Sequence, residues 1–213
     1  MKNIYLSLSI LLLCFVSCKK EVKTEVDEIK VTDTIKTKDT VAEPVLDSAA
    51  QMKAWADYGT PGNAHKMMAD ETGIWNCDMT FWMEPNAKPE KATSTANIKM
   101  ILGGRYQEAN YSGKMMGQSF EGRGTLAYNN ASKEYTTTYI DNMGTGMLVA
   151  VGKYDESAKT IELKGQMVTP ENGKKIPYRE VYTIVDPKTR KMEIFDVKNG
   201  EEFKSTEIIM KKK

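Results

Sequence analysis

Thr160-Ile161-Glu162-Leu163-Lys164-Gly165-Gln166-Met167 places an apolar or small residue at every second position. That period marks a β-strand with one face buried and the other in water. The same texture extends both ways from this stretch. Short runs rich in Thr, Tyr, Ile, Val and Phe recur every 8–12 residues from Ile74 onward. The spacing predicts strands over 74–84, 92–102, 105–113, 119–128, 133–141, 146–154, 159–167, 176–186, 190–198 and 201–210. Turn residues such as Gly103-Gly104, Asn129-Asn130, Asp186-Pro187-Lys188 and Asn199-Gly200 separate them. Links this short join antiparallel neighbours. About ten such strands are expected to close as an up-and-down β-barrel, which removes exposed edges. The alternative is an open two-sheet sandwich.

Two short helices are expected before the strands. Asp47 or Ser48 can cap the first, and Gly59 can end it. Met52, Trp55 and Ala56 share one face of it. Thr60-Pro61-Gly62 reads as a turn. Asn63 can then cap a second helix from Ala64 to about Thr72, with Met67 and Met68 as its apolar contacts. Residues 48–73 are thus a helical segment expected to pack on a barrel spanning 74–211.

The first 17 residues read as a signal peptide. Lys2 supplies the positive start, and Ile4–Val16 is apolar but too short for a comfortable transmembrane helix. Phe15-Val16-Ser17-Cys18 resembles a lipobox, with Phe15 where Leu is usual. The resemblance implies cleavage before Cys18 and fatty acyl chains, such as palmitate, on its sulfur. The alternative is plain secretion with an incidental Cys. Residues 18–47 carry no aromatic residue and are rich in Lys, Glu, Asp, Thr and Val. Such a segment buries too little apolar surface to offset its ordering entropy. It is expected to be a disordered stalk, with an r.m.s. span of roughly 30 Å. Lys19 stands where Asp would mark inner-membrane retention, so the outer membrane is the expected location. Lys19-Lys20-Glu21 loosely resembles the surface-export signal of Bacteroidota lipoproteins. Asp33-Thr34-Ile35, Asp39-Thr40-Val41 and Asp47-Ser48-Ala49 form a loose repeat. It resembles the O-glycosylation tripeptide of that phylum, which makes Thr34, Thr40 and Ser48 candidate acceptors. Chance recurrence in a low-complexity stretch is the alternative.

Lys2 is the one charged residue among the first 17, so the acids and bases after it balance. A neutral chain without a basic stripe argues against a nucleic-acid partner and against electrostatic membrane binding. With Cys18 acylated, Cys77 is the one downstream thiol, and its apolar neighbours suggest a buried structural role. His65 is the single histidine and lies on a short expected helix, where capping or packing is the default role. No zinc or EF-hand pattern and no phosphate-cradling loop is legible, so no metal and no cofactor is expected. Gly103-Gly104 and Gly122-x-Gly124 read as bends or close packing in strands.

Several motifs act together as a family signature. They are Thr60-Pro61-Gly62 with His65, Gly73-Ile74-Trp75 and Leu102-Gly103-Gly104-Arg105-Tyr106. Phe120-Glu121-Gly122-Arg123-Gly124, Tyr139-Ile140-Asp141-Asn142-Met143-Gly144-Thr145-Gly146 and Glu201-Glu202-Phe203-Lys204 continue it. As a set they resemble a bacterial family known as domain of unknown function fifteen-seventy-nine, over roughly residues 50–210. The resemblance implies a lipocalin-like, calycin-type barrel and no particular activity. A related barrel family binds haem through a barrel histidine, but His65 lies outside the expected strands.

Charges within the expected strands are the candidate ligand contacts. They are Arg105, Glu121, Asp141, Arg179, Glu193 and Glu207. Any that face inward need partners and would form a network able to orient a polar ligand group. The alternative is that alternation turns most of them to solvent. Asp141-Asn142 with Thr145 reads either as barrel-mouth lining or as a hairpin turn with Asn and Gly at positive φ. Gly113-Lys114-Met115-Met116-Gly117 reads as a rim loop, and the abundant Met residues as core filling. Three functions follow in order of preference. The first is binding of a small apolar or amphipathic molecule inside the barrel. The second is an envelope adaptor. The third is an enzyme using Asp141, Arg105 or His65 at the barrel mouth.

Overall fold

A computed structural model describes residues 47–213. The expected signal peptide 1–17, Cys18, Thr34, Thr40 and all but the last residue of the expected stalk lie outside the described residues.

Helices α1 (Ser48–Gly59) and α2 (Asn63–Ala69) precede ten strands. These are β1 (Gly73–Phe81), β2 (Glu90–Ile101), β3 (Tyr106–Met115), β4 (Gln118–Asn129) and β5 (Glu134–Asp141). They continue with β6 (Leu148–Asp155), β7 (Thr160–Val168), β8 (Lys175–Asp186), β9 (Thr189–Lys198) and β10 (Glu201–Lys212). Each strand pairs antiparallel with its chain neighbours, and β1 pairs with β10 to close the barrel. The up-and-down barrel expected from the alternation is therefore the fold, and the open sandwich is excluded.

Turn chemistry sets the hairpins. Asn199 and Gly200 both have positive φ, 54° and 85°, as a two-residue hairpin requires. Met116 and Gly117 do the same, so Gly113–Met115 belongs to β3 and the expected rim loop shrinks to a tight turn. Neither Asn142 nor Gly144 has positive φ. Instead the Asn142 side chain donates to Ser119 O at 2.9 Å and accepts from the Glu121 N–H at 2.9 Å. Those bonds pin the 142–147 loop to β4.

Inward positions follow the pleat. Trp75, Cys77 and Met79 of β1 are buried, as are Ile161 and Leu163 of β7. A Cβ on Gly152 would stand 1.7 Å from Glu162 O, so β6 and β7 can approach only with glycine there.

One end of the barrel is covered by chain. α2 packs against β2, β3 and β4 and buries His65 and Met68. Its N-cap is Gly62 rather than the expected Asn63, and His65 Nδ1 accepts the Gly62 N–H at 3.1 Å. α1 is capped by Asp47, which accepts from the Ala50 N–H at 2.8 Å. α1 buries no residue, and Trp55 is 73% exposed. Its C-terminal end is tethered through carbonyls instead. Arg105 Nε donates to Gly59 O at 2.9 Å, and Asn130 Nδ2 reaches the carbonyls of Asp57, Tyr58 and Thr60.

Beneath α2 lies a buried ion pair, Glu71 with Arg190 of β9 at 2.8 Å, each side chain 5% exposed. Gln107 Nε2 donates to Glu71 Oε2 at 3.2 Å and to Met68 O at 2.8 Å. Trp75 Nε1 donates to Glu71 O at 2.8 Å, and Arg190 also donates to the Thr189 and Asp186 carbonyls. Removing one member strands a buried charge. Arg190→Met is expected to lower the unfolding free energy by about 3–5 kcal/mol, and adding Glu71→Leu should recover part of that loss. Chemical denaturation measures both. A single-variant loss below about 1 kcal/mol would contradict the structural role, because surface pairs reach that value.

Candidate functional site

The barrel interior is not filled. A cavity of about 360 Å³ runs from Glu71, Gln107 and Met210 at the helix-covered end to Met116 and Met143 on turns at the other. Met116 and Met143 are exposed, so the cavity reaches the rim there. The walls are mostly apolar, with Phe81, Ile98, Leu126, Leu148, Leu163 and Ile208 among them. Met79, Met115, Met192 and Met210 also face it, so these methionines line a space rather than fill a solid core. Tyr111, Tyr139, Tyr178 and Tyr182 add aromatic faces. Burial pushes the Tyr178 hydroxyl up to about 12 and the other three further above the ordinary phenol value.

Glu180 is the exceptional wall residue. It sits halfway along β8, between inward Tyr178 and Tyr182. Its cross-strand neighbours are Leu163 on β7 and Ile194 on β9. Among the described residues no hydrogen bond or ion pair reaches its carboxyl. Desolvation alone raises its pKa to about 7. Asp196, on the same face of β9, is also raised by burial, partly offset by a hydrogen bond from Ser205, and its Oδ1 is buried without a partner.

The six strand charges singled out from the sequence are dispersed. Asp141 lines the cavity near the rim and accepts the Met143 N–H at 3.0 Å. Arg105 is exposed beyond β2, and Glu121 is exposed on β4. Arg179 points out of the barrel, held by Glu202 at 2.7 and 3.0 Å and lying 4.0 Å from the Phe195 ring centroid. Glu193 and Glu207 are cross-strand partners that share Lys204, at 3.2 and 2.6 Å, on the outer face. The structure therefore joins Glu193 with Glu207 and leaves only Asp141 on the cavity. The interior network consists instead of Glu71, Gln107 and Arg190. Glu180 was missed, although its shared parity with Tyr178 and Tyr182 was the available signal.

The residues considered for acid–base chemistry do not share a cleft. Asp141 ends β5 at the rim, whereas His65 and Arg105 lie at the helix-covered end. His65 packs edge-on against Tyr128 at 5.8 Å, and burial followed by the Arg105 charge lowers its pKa. Cys77 is buried, which raises its thiol to about 11 and keeps it unreactive. Among the described residues no group of three or more His, Cys, Asp or Glu side chains is placed to hold a metal ion.

Residues 60–212 match the family described as Protein of unknown function (DUF1579). The chain belongs to that family. No curated protein matches it in sequence. Among solved structures it resembles Rv2717c from M. tuberculosis, at 12% identity and a TM-score of 0.54, over 72% of this chain and 99% of that one. It also resembles the S-type phycobiliprotein lyase CPES from Guillardia theta, at 9% identity and a TM-score of 0.51, over 75% of this chain and 96% of the lyase. At these identities the likeness is one of fold.

Glu180 makes a stability prediction with a definite sign. The folded carboxyl holds its proton up to about pH 7, whereas its ordinary pKa is 4.5. Its favourable contribution is full below about pH 4.5 and lost as the pH rises through 7. Glu180→Gln should therefore gain stability over the native chain between pH 4.5 and 8, by up to about 3 kcal/mol. His65 and Asp196 titrate in both proteins and cancel in that difference. Denaturation curves at the two pH values measure it, and an unchanged difference would show that the carboxyl is solvated.

Proposed function

We propose that the barrel binds a small, mainly apolar molecule in its interior. The observation that carries this reading is the cavity of about 360 Å³ with apolar and tyrosine walls and a methionine rim. Ligand pockets typically measure about 300–1,000 Å³, apolar with a few placed polar groups. Asp141 remains a candidate contact at the rim, and Glu180 and the tyrosines join it. Arg105, Glu121, Arg179, Glu193 and Glu207 are assigned instead to surface and sheet interactions.

A second reading, an adaptor that docks another envelope protein, rests on α1. Met52, Trp55 and Tyr58 are exposed there, and Trp55 and Tyr58 touch edge to face at 5.8 Å.

The setting we assign is the bacterial cell envelope. The lipobox-like Phe15-Val16-Ser17-Cys18 supports a lipid on Cys18, and Lys19 supports the outer membrane. Ser48, one of the proposed O-glycan acceptors, is exposed at the start of α1.

Two experiments test these proposals. A Cβ at Gly124 would meet nothing closer than 3.7 Å, so Gly124→Leu can extend into the cavity from an intact strand. Native mass spectrometry of protein from its own cells is expected to show a non-covalent adduct on the native chain and its loss in Gly124→Leu. A folded native chain that carries nothing and takes up no apolar probe would count against the binding reading. For the anchor, Cys18→Ser should block acylation and move the protein out of the membrane fraction, or leave an unprocessed precursor. One acyl chain alone holds only marginally, so stable anchoring depends on the full modification. A variant that stays processed and membrane-bound would refute the assignment and point to Cys14, the other cysteine of the apolar run, which follows Leu11-Leu12-Leu13.

A further inference from the structure

The cavity also constrains the charge of what fills it. Its apolar walls would be expected to take a neutral ligand, yet Glu180 places a carboxyl halfway down the barrel. Among the described residues no cation answers it. Arg190, the cation at the covered end, is already paired with Glu71 and two carbonyls. The other acids turned inward, Asp141 and Asp196, add to the negative balance. The phenols of Tyr111, Tyr178 and Tyr182 stay protonated, so they contribute ring faces rather than charge. Tyr178 and Tyr182 flank Glu180 on the same face of β8, and Tyr111 senses its charge from β3.

A carboxylate among aromatic faces in a mainly apolar cavity is the chemistry that recognises an ammonium group. The ring quadrupoles attract the cation, and the carboxylate supplies its counter-charge. We propose that the barrel's ligand is a hydrophobic cation whose ammonium group rests against Glu180 among Tyr111, Tyr178 and Tyr182, with its apolar part along the remaining wall. The proposal rests on interior binding and adds the ligand's charge and orientation. The ionised form of Glu180 is the one that binds. A permanently charged ligand should therefore bind more tightly as the pH rises through about 7. His65 and its neighbour Arg105 lie outside the cavity, and Cys77 stays a thiol through this range.

The test compares decyltrimethylammonium, decanol and decanoate, which share one chain length, by titration calorimetry on the full chain and on Glu180→Gln. The cation is expected to bind the native protein at least about thirtyfold more tightly than the alcohol at pH 8, the scale of a desolvated charge pair. Its affinity should rise about tenfold between pH 6 and 8, tracking ionisation of one group. Glu180→Gln should remove both the preference and the pH dependence while leaving decanol binding intact. Glu121→Gln, exposed on β4 outside the cavity, should leave the preference in place. Decanol or decanoate binding as tightly as the cation, or a preference that survives Glu180→Gln, would overturn the cationic ligand and leave interior binding standing. If none of the three binds the folded chain, both proposals fall. Glu180→Gln that fails to fold is controlled by Tyr178→Leu, which should weaken the cation selectively by removing one ring face.

Discussion

A buried ion pair at one end of the barrel sets the terms for everything inside it. Glu71 arrives from the segment after α2, and Arg190 from β9, two strands from β1 around the barrel. Their contact is possible only if the chain before β1 is drawn across the barrel's end. Gln107 and Trp75 bond the same carboxyl residue from β3 and β1. Four separate parts of the chain are thus held at one point. Because the desolvation of two ions is large, the arrangement tolerates little displacement. It covers one end, so the access to the cavity that the exposed Met116 and Met143 mark lies at the other.

Charge is sorted across the barrel wall with a consequence for binding. Outside, carboxylates meet cations: Glu202 with Arg179, Glu193 and Glu207 with Lys204, Glu108 with Lys99. Such surface pairs are individually weak. Inside, Glu71 alone is matched by a cation, while Glu180 and one oxygen of Asp196 are unmatched. The sheet therefore separates an exterior on which these acids meet cations from an interior with a surplus of acid.

The sequence made the barrel legible because one physical signal repeats through it. Alternation in Ile161, Leu163 and Gly165 and punctuation such as Asn199-Gly200 are local, and local geometry decides strands and hairpins. The site was harder to read. In β8 the two faces are equally mixed: Tyr178, Glu180 and Tyr182 point in, while Arg179, Val181 and Thr183 point out. Hydrophobicity alone cannot choose between these faces, and the register shift between Ile184 and Asp186 breaks the count from the turn. Arg179 was therefore weighed as an interior charge, and the adjacent Glu180 passed over. Glu71 was hidden for another reason. It lies in neither a helix nor a strand, so its partner 119 residues later leaves no periodic trace. The faces of the helices were also ambiguous. Met52 and Trp55 have the spacing of a packing stripe, yet α1 is held by Arg105 and Asn130 through its terminal carbonyls.

The strongest reason to read Glu180 as functional is energetic. Keeping a carboxyl at a pKa near 7 with no partner sets up to about 3 kcal/mol against folding above that pH. A domain of this kind has only about 5–15 kcal/mol of net stability. The position does not require an acid for structure, since its cross-strand neighbours Leu163 and Ile194 are aliphatic and its side chain bonds nothing among the described residues. A leucine or methionine there would fill part of the cavity and remove the penalty. Local rules are broken in this way chiefly where a site needs the broken residue. Glu71 shows the contrast within the same interior: it is equally acidic, but fully engaged, and its role is explained by what it holds together. Glu180 makes no such bonds among the described residues, which supports the reading of it as a ligand contact.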